Sequence, residues 1–290
     1  MSGKALAGKT VLFLITEDWY FRSHRLPLAR AARDAGARVV VAARMRDERA
    51  AIAAEGFETV DIPFDRSGLN PIADLGTLRA IGAAYRSVQP DLVHHVGLKP
   101  VLYGSLAARL AGVPAIVNAM AGMGFVFTAE RGAARAIRAI TVPALRWLNG
   151  RAGTGIIVQN EDDRRLLVDS VGIDAGRITI IRGSGVDISA YTPSPEPAGT
   201  PVAVCISRML WHKGIGELVE AARLMKARGV ALTVRLIGPT DANPASVSQE
   251  QLDAFAEEGI VEVMGPTTDV AGAYAAAHIA VLPSYREGLP

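Results

Sequence analysis

The sequence is poor in the features that mark secreted and membrane-spanning proteins. Its single cysteine, Cys205, allows no disulfide within the chain, and its position in an apolar run predicts a place in the core. No apolar run approaches the roughly 18–20 residues that a membrane-spanning helix needs. The first run, Val11 to Ile15, is too short for the core of a signal peptide. We therefore expect a cytoplasmic protein whose only membrane contact is peripheral, on the inner face of the cell membrane.

Charge and cofactor motifs are also scarce. The net charge of the 290 residues is only +2, so the overall charge balance predicts no nucleic-acid partner. There is no Gly-x-Gly-x-x-Gly motif, which disfavours a dinucleotide-dependent dehydrogenase. There is no Asp-x-Asp motif either, and the adjacent Asp162 and Asp163 would point apart at the solvated start of a helix, Glu161–Val171. We therefore expect no metal ion and no other cofactor.

Apolar residues are abundant, at 50% of the sequence, and their arrangement predicts the fold. Short apolar runs with little alternation, typical of strands buried on both faces, are separated by Ala-, Leu- and Arg-rich segments of helical length. This order predicts βαβ units and an α/β fold of two Rossmann-like, doubly wound parallel sheets. The predicted strands cover residues 11–15, 38–43, 59–63, 92–96, 115–120, 156–159, 178–182, 202–206, 232–237, 261–264 and 278–282.

A proline-rich stretch divides these strands into two groups. Four prolines lie between Thr192 and Pro201, and proline disfavours both helix and strand because it fixes φ and lacks an N–H donor. We interpret residues 192–201 as a linker between a first domain, 1–191, and a second domain, 202–290. A surface loop is the alternative interpretation.

The loop that follows the first strand of the second domain carries two fixed positive charges. Arg208 and Lys213 lie between the carboxyl end of a strand and the amino end of a helix, and Gly214 permits close backbone approach there. Open α/β sheets bind ligands at this edge, and a helix amino terminus attracts anions. The loop therefore predicts a phosphate or diphosphate site. Two solvated charges before an ordinary helix are the alternative.

Two motifs together resemble the donor-site signatures of glycosyltransferase family 4. They are Ser-Arg-x4-Lys-Gly at 207–214 and Pro-Ser-x2-Glu-Gly-Leu-Pro at 283–290, each after a predicted strand. Residues 19–25 and 94–105 are similar to the bacterial subgroup that adds a sugar to a lipid-diphosphate-linked saccharide. The resemblance implies a retaining enzyme of the GT-B fold. It also implies that the chain is truncated, because the family continues beyond the second motif with the rest of the second domain.

The resemblance assigns substrates and donor-site roles. It implies a nucleotide sugar as donor, UDP-linked and an N-acetylhexosamine, and a polyprenyl-diphosphate-linked saccharide as acceptor. Arg208 and Lys213 would contact the donor diphosphate, and Glu287 would contact the donor sugar near the reacting carbon. The further donor-binding residues are Ser207, Gly214, Gly288 and Leu289. Two alternatives remain open: a UDP-sugar 2-epimerase of the same fold, and an inactive fragment that binds a nucleotide or lipid head group.

The first domain offers candidates for the acceptor or for a phosphate. We expect a loop from Thr16 to Arg25, in which Ser23 caps a helix opened by His24, with His24 and Arg25 placed to contact a phosphate. For His24 the alternative is a local hydrogen bond in the first helical turn. Lys99 follows the fourth strand and is predicted to meet an acceptor diphosphate.

Two neighbouring strands of the first domain add further polar candidates. The adjacent His94 and His95 should face opposite sides of the fourth strand, so that one is buried and hydrogen-bonded and the other reaches the cleft. Asn118 stands near the place where many members of the family have a histidine, and it is predicted to donate a hydrogen bond there. A general base at this position is excluded.

A basic segment, Arg131 to Arg151, contains five arginines and no acidic residue. As a helix it places Arg131, Arg135 and Arg138 on one face and an apolar group that includes Trp147 on the other. Such a helix can lie on an anionic membrane surface. The alternative is a helix that packs its apolar face on the sheet and exposes its arginines to solvent.

Overall fold

The computed structural model describes residues 5–65, 71–120, 133–241, 245–285 and 287, with only the backbone described at 71 and 133–137. The chain forms two compact units, which divide between Ser184 and Gly185. Each unit contains one parallel sheet with helices between its strands. The predicted α/β class with two Rossmann-like parallel sheets is confirmed. The domain limits given by the sequence, 1–191, 192–201 and 202–290, stay a prediction.

The first unit is built on a seven-stranded parallel sheet in the order β3-β2-β1-β4-β5-β6-β7. Its strands are β1 Thr10–Glu17, β2 Arg38–Arg44, β3 Glu58–Asp61, β4 Leu92–Val96, β5 Ala115–Ala119, β6 Thr154–Val158 and β7 Ile178–Ile180. Its described helices are α1 Asp18–His24, α2 Leu26–Asp34, α3 Arg49–Ala54, α4 Pro71–Val88, α5 Ser105–Ala111, α6 Ala133–Asn149 and α7 Glu161–Arg165. Short π-helical turns, Pro100–Gly104 and Leu166–Val171, adjoin α5 and α7.

The core of this unit lies on both faces of the sheet, as the absence of alternation predicts. In β1, Leu12 and Leu14 pack into the cluster on one face, while Val11, Phe13 and Ile15 pack into the cluster on the other. All five side chains are at most 6% exposed. A strand with five consecutive apolar residues therefore forms the centre of the sheet.

The second unit has a four-stranded parallel sheet in the order β10-β9-β8-β11. Its strands are β8 Val202–Ile206, β9 Thr233–Ile237, β10 Glu262–Gly265 and β11 Ile279–Ala280. Its helices are α8 Ile215–Ala227, α9 Gln249–Glu257 and α10 Val270–Ala275. Cys205 is fully buried in the core of this unit, as predicted, and burial raises the pKa of its thiol.

The segment after β1 differs from the sequence prediction. The strand continues to Glu17 and is followed at once by α1, so most of the expected loop is helical. Ser23 lies in the last turn of α1, where its hydroxyl donates to the carbonyl oxygens of Trp19 and Tyr20. The prediction that Ser23 caps the next helix is therefore wrong, because its hydroxyl is satisfied within the preceding turn.

The adjacent Asp162 and Asp163 differ in burial, although both were expected at the solvated start of a helix. Asp162 is exposed, as predicted for the start of a helix. Asp163 is only 3% exposed, and its backbone N–H donates to Asn160 Oδ1 in the cap of α7.

Both sheets reverse their strand order at one point. In the first sheet the reversal lies between β1 and β4, and in the second it lies between β8 and β11. In open α/β sheets, ligands bind in the crevice outside the carboxyl ends of the strands at such a switch point. The topology therefore predicts one candidate ligand site in each unit.

Candidate functional site

The two donor motifs meet at the switch point of the second sheet. The loop after β8 ends in a short 3-10 turn, Trp211–Lys213, and leads through Gly214 into α8. The second motif follows β11, and the Tyr285 N–H donates to the His212 carbonyl oxygen over 3.1 Å. Lys213 Nζ donates to Glu287 Oε1 over 2.5 Å, although the two residues are 74 positions apart in the chain. Gly288 and Leu289, also assigned to this site, lie outside the described residues.

Glycine is required where these loops approach one another. Gly214 has φ +75°, and a Cβ added there would lie 2.2 Å from the Pro283 carbonyl oxygen. Gly238, just after β9, has φ +146°, and its Cβ would lie 1.8 Å from the Ser207 carbonyl oxygen. An L side chain would be strained at both angles and would collide with main-chain atoms. The carboxyl ends of β8, β9 and β11 are therefore held together by direct backbone contact.

Each cation of this site has a carboxylate partner. Arg208 Nη1 donates to Asp241 Oδ2 over 2.6 Å, with the arginine side chain 42% exposed. Lys213 and Glu287 are more deeply placed, at 17% and 19% exposed. Burial raises the pKa of Glu287, but the hydrogen bond from Lys213 leads the opposing effects, and the net pKa lies below its usual value. The loop thus holds two ion pairs at the edge of the sheet.

Two participants in this site were missed by the sequence interpretation. Asp241 follows β9, whose carboxyl end lies beside that of β8, so sheet order would have indicated it. Tyr285 donates its hydroxyl to Glu217 Oε1 in the first turn of α8 over 2.5 Å, which links the second motif to that helix. The remaining donor candidate, Ser207, donates its hydroxyl to the Arg208 carbonyl oxygen over 3.1 Å.

Two candidates of the first unit, His24 and Arg25, line a cavity of about 170 Å³ near the switch point of the first sheet. His24 and Arg25 contribute from the segment after β1, His94 from β4, and Ser184 from the segment after β7. Arg25 Nη1 donates to Ser184 Oγ over 3.0 Å and to the His24 carbonyl oxygen over 3.2 Å. The imidazole of His24 stacks on the Tyr20 ring, with centroids 4.2 Å apart.

The two adjacent histidines of β4 face different surroundings, as predicted. His95 is fully buried and is hydrogen-bonded to the Tyr85 hydroxyl at 2.8 Å and to Asn118 Oδ1 at 2.7 Å. His94 is 4% exposed and lines the cavity. Burial lowers the pKa of His94 to about 3, assisted by the charge of Arg25, and lowers the pKa of His95 to about 4. Both imidazoles are therefore neutral at physiological pH.

The other two acceptor candidates are engaged within the first unit. Asn118 is fully buried, and its amide donates to Ser105 Oγ and Asn149 Oδ1 over 3.0 and 2.8 Å. Lys99 Nζ donates to Asp74 Oδ1 over 3.1 Å, with the lysine side chain 18% exposed. Asn118 thus belongs to a polar network inside the core, and the predicted ligand contacts of Lys99 and Asn118 stay predictions.

The basic segment forms α6, which continues through Pro143. Leu148 is buried, whereas Ile140 and Trp147 are 75% and 55% exposed, so part of the apolar stripe faces outward. The guanidinium of Arg109 on α5 lies over the Trp147 ring, 4.0 Å from its centre.

The arginines predicted to face a membrane are only partly described. Arg131 and the side chain of Arg135 lie outside the described residues. Arg138 is described and half-buried. Across the described ranges, no helix has the length and apolar character to cross a bilayer. In the same ranges, no three His, Cys, Asp or Glu residues form a group that could hold a metal ion.

Known proteins share both the sequence pattern and the fold. The N,N'-diacetylbacillosaminyl-diphospho-undecaprenol alpha-1,3-N-acetylgalactosaminyltransferase of Campylobacter jejuni is 24% identical over 279 residues, covering 92% of this chain and 72% of that protein. The UDP-Gal:alpha-D-GlcNAc-diphosphoundecaprenol alpha-1,3-galactosyltransferase of Escherichia coli is 22% identical over 242 residues, covering 79% and 61%. The structure of Anabaena HepE in complex with UDP and glucose matches with a TM-score of 0.70 and 16% identity, over 94% of this chain and 73% of that one.

Two parallel sheets, each with polar residues at its switch point, together with these similarities define a glycosyltransferase of the GT-B fold. The chain belongs to the glycosyl transferase 4-like family, whose model matches residues 10–160, and residues 200–290 match the model of glycosyl transferases group 1. The family expected from the two sequence motifs is thereby confirmed.

Proposed function

We propose that this enzyme transfers an N-acetylhexosamine from a UDP-linked donor to a saccharide carried on polyprenyl diphosphate, with retention at the anomeric carbon and without a metal ion. The observation that carries the proposal is the pairing of Lys213 with Glu287 at the switch point of the second sheet, in the same loop that carries Arg208. The names of the Campylobacter and Escherichia coli relatives, both of which contain a diphospho-undecaprenol-linked sugar, support the acceptor class.

Stabilisation of the leaving group is the main task of the donor site. A departing UDP develops negative charge on its diphosphate, and preorganised cations stabilise that charge. Arg208 supplies a planar guanidinium with several N–H donors, and Lys213 supplies the localised charge of an ammonium group. The helix α8 has Gly214 as its N-cap, so the positive end of its dipole also faces this loop. The backbone at Ser207, Gly288 and Leu289 completes the donor site in this proposal.

The transfer itself is a same-face substitution. The bond between the anomeric carbon and the diphosphate oxygen breaks, and a bond to the acceptor hydroxyl oxygen forms on the same face. The hydroxyl proton passes to the leaving diphosphate oxygen, so no protein base is required. Glu287 lies beside the donor sugar and is ionised, because Lys213 holds its pKa below the usual value despite burial.

Calorimetric titration with UDP, with GDP and ADP as controls, tests the donor site. We expect selective UDP binding that is lost in Arg208→Ala. Arg228→Ala is the matched control, because it removes an arginine at the far end of α8, about 20 Å along the helix axis. Equal binding of the three nucleotides, or unchanged UDP binding in Arg208→Ala, would refute the assignment.

A transfer assay tests the metal-independent mechanism separately. With a UDP-linked sugar and a polyprenyl-diphosphate saccharide, we expect the same rate in the presence and absence of EDTA. Activity that EDTA removes and manganese restores would overturn this part of the proposal. Free or epimerised sugar formed without an acceptor would instead indicate the 2-epimerase alternative.

Peripheral binding to an anionic membrane is the second part of the proposal. It rests on exposed apolar side chains next to arginines: Leu110 and Trp147 are 77% and 55% exposed, and Arg109 stacks on Trp147. An apolar surface bordered by cations fits the interface of an anionic bilayer. This surface lies in the first unit, together with the predicted acceptor residues His24 and Arg25.

Flotation with vesicles of anionic phospholipid tests this surface. We expect Trp147→Glu to release the protein from the vesicles, while Leu224→Glu, at an exposed position on α8, leaves binding unchanged. Binding that Trp147→Glu does not weaken, and that charge reversal at Arg131, Arg135 and Arg138 does not weaken either, would contradict the membrane assignment.

A further inference from the structure

The cavity of the first unit contains a cation that no carboxylate of the described residues neutralises. Arg25 donates to one hydroxyl and one carbonyl oxygen, and its Nε is buried without a hydrogen-bond partner among the described residues. None of the described residues that line the cavity is Asp or Glu, and no described carboxylate lies within ion-pair distance of Arg25. Arg25 is partly buried, and a charge that is partly withdrawn from water without a partner is costly, so a ligand of opposite charge would stabilise it.

A second polar group of the same cavity is also unsatisfied. His94 is 4% exposed, and its Nε2 has no hydrogen-bond partner within the described part of the chain. Its ring contacts Phe13 edge to face, with centroids 5.4 Å apart, so packing fixes its orientation. Burial, assisted by the charge of the nearby Arg25, lowers its pKa to about 3. His94 is therefore a neutral hydrogen-bonding group beside a permanent cation.

The size of the cavity limits its occupant. Sites that enclose a whole drug-sized ligand measure roughly 300–1,000 Å³. At about 170 Å³ this cavity fits a small group of a larger substrate and does not enclose a whole nucleotide sugar. The occupant must be anionic to balance Arg25, and it must offer several oxygens to meet both Arg25 Nε and His94 Nε2. A phosphoryl group satisfies both conditions, because its oxygens accept from a guanidinium and an imidazole together.

We propose that the cavity lined by His24, Arg25, His94 and Ser184 is a phosphoryl-binding subsite, in which Arg25 supplies the charge and His94 a neutral hydrogen bond. This inference rests on the proposed function for its context, since both the donor and the lipid-linked acceptor of that reaction carry a diphosphate. Binding of a phosphoryl group here does not require transfer, so the subsite is testable even if the proposed reaction is wrong.

Nuclear magnetic resonance of histidine-labelled protein tests this subsite, because the five histidines report on different places. His24 and His94 line the cavity, His212 adjoins Lys213 in the donor loop, and His95 is enclosed by Tyr85 and Asn118. Inorganic phosphate and pyrophosphate should shift the His24 and His94 resonances and leave the His95 resonance in place. Acetate at the same concentration should not reproduce the shifts.

Two arginine variants decide the role of the cation. Arg25→Gln should weaken pyrophosphate binding, followed at His94, by at least tenfold. Arg22→Gln should leave it unchanged, since Arg22 lies in α1, three residues before Arg25, and pairs with Glu48 at the surface. Unmoved His95 and His278 resonances in Arg25→Gln would show that the fold is intact. No shift of His24 and His94, or a shift that persists in Arg25→Gln, would overturn the proposal.

The source of the phosphoryl group is distinguished in the same spectrum. Farnesyl diphosphate stands for the lipid-linked substrate, and UDP stands for the donor. A shift of His94 with farnesyl diphosphate and of His212 with UDP would support a subsite for the lipid diphosphate. A shift of His94 with UDP alone would support a subsite for the donor phosphate. If UDP does not shift the His212 resonance, the result counts against the proposed donor site. The phosphoryl subsite is then decided by the phosphate and pyrophosphate titrations followed at His24 and His94.

Discussion

At the switch point of the second sheet, Arg208 and Lys213 each have a carboxylate partner, whereas at that of the first sheet Arg25 has none among the described residues. The first arrangement keeps its cations neutralised until a ligand displaces or joins Asp241 and Glu287. The second arrangement has a charge that no described carboxylate balances. Similar sheet topology therefore sets where a cation lies but not how its charge is neutralised. Four predictions follow from this contrast, in decreasing order of their expected size.

The two units should respond differently to acid. His94 and His95 have pKa values of about 3 and about 4 when folded, against 6.5 for an ordinary histidine, so the unfolded chain binds more protons between these values. Stability therefore rises with pH in this window and is lost as pH falls. Between pH 7 and pH 5 the two groups together remove about 4 kcal/mol from the first unit. Tyr85 stays neutral throughout, because burial raises its pKa.

Tryptophan fluorescence during denaturant unfolding measures each unit separately. The Trp211→Phe variant reports on the first unit, and a variant with Trp19→Phe and Trp147→Phe reports on the second. In the second unit the pKa of Glu287 lies below its usual value. The Lys213–Glu287 ion pair therefore still stabilises the folded state at pH 5 and is lost only at lower pH. Equal losses of stability in the two units between pH 7 and pH 5 would contradict the comparison.

Lys213→Ala tests whether the proposed donor site depends on the Lys213–Glu287 ion pair. The change removes a charge-assisted hydrogen bond and leaves Glu287 unpaired beside the diphosphate. We expect the Kd for UDP to rise about 10- to 100-fold. Adding Glu287→Gln should recover part of the loss, and Lys226→Ala, at the other end of α8, should change nothing. A Kd within threefold of the original in Lys213→Ala would remove this residue from the site.

Gly214→Ala tests the contact between the two motifs. The added Cβ would meet the Pro283 carbonyl oxygen at a residue with φ +75°, so we expect roughly 2 kcal/mol of lost stability and weaker UDP binding. Gly229→Ala is the matched control, because Gly229 has φ +69° and no atom within 4 Å of the added Cβ. The control should cost less and leave UDP binding unchanged. If both variants bind UDP equally, the contact has no role in the site.

Asp241→Asn has the smallest expected effect. The Arg208–Asp241 pair is partly exposed, and such pairs contribute about 0.2–1 kcal/mol. Removing the competing carboxylate should therefore tighten UDP binding by up to about fivefold in calorimetry. The opposite result, weaker binding, would show that Asp241 positions Arg208 for the ligand and does not compete with it.

The sheets were predictable from sequence, but the segment after β1 was not. Strands such as β1 contain a run of consecutive apolar residues because both faces of the sheet are covered, and this pattern is local. The helix that begins at Asp18 depends on distant partners: the Asp18 carboxylate accepts from the backbone N–H groups of Arg46 and Glu48 over 2.6 and 3.1 Å. Such a contact has no signature in the sequence near residue 18, where the residues suggested a loop.

The contact between the two motifs of the second unit was largely predictable, because each motif is one short stretch of sequence that follows a strand. The cavity of the first unit was only partly predictable from the sequence. His24 and Arg25 stood out as a pair, whereas Ser184 joins them from 159 residues away through a hydrogen bond to Arg25. The lack of a counter-charge at Arg25 is a property of the assembled surroundings, and no single stretch of sequence contains it.

The pairing of the last strand has a consequence for how the protein is made. β11 joins the edge of β8 through Ile279 and Ala280, and only then does Glu287 reach Lys213. During synthesis from the amino terminus, the first sheet and the β8, β9 and β10 strands precede this step, and domains generally fold as units in that order. A nascent chain halted before β11 would therefore contain the first sheet but not the Lys213–Glu287 pair.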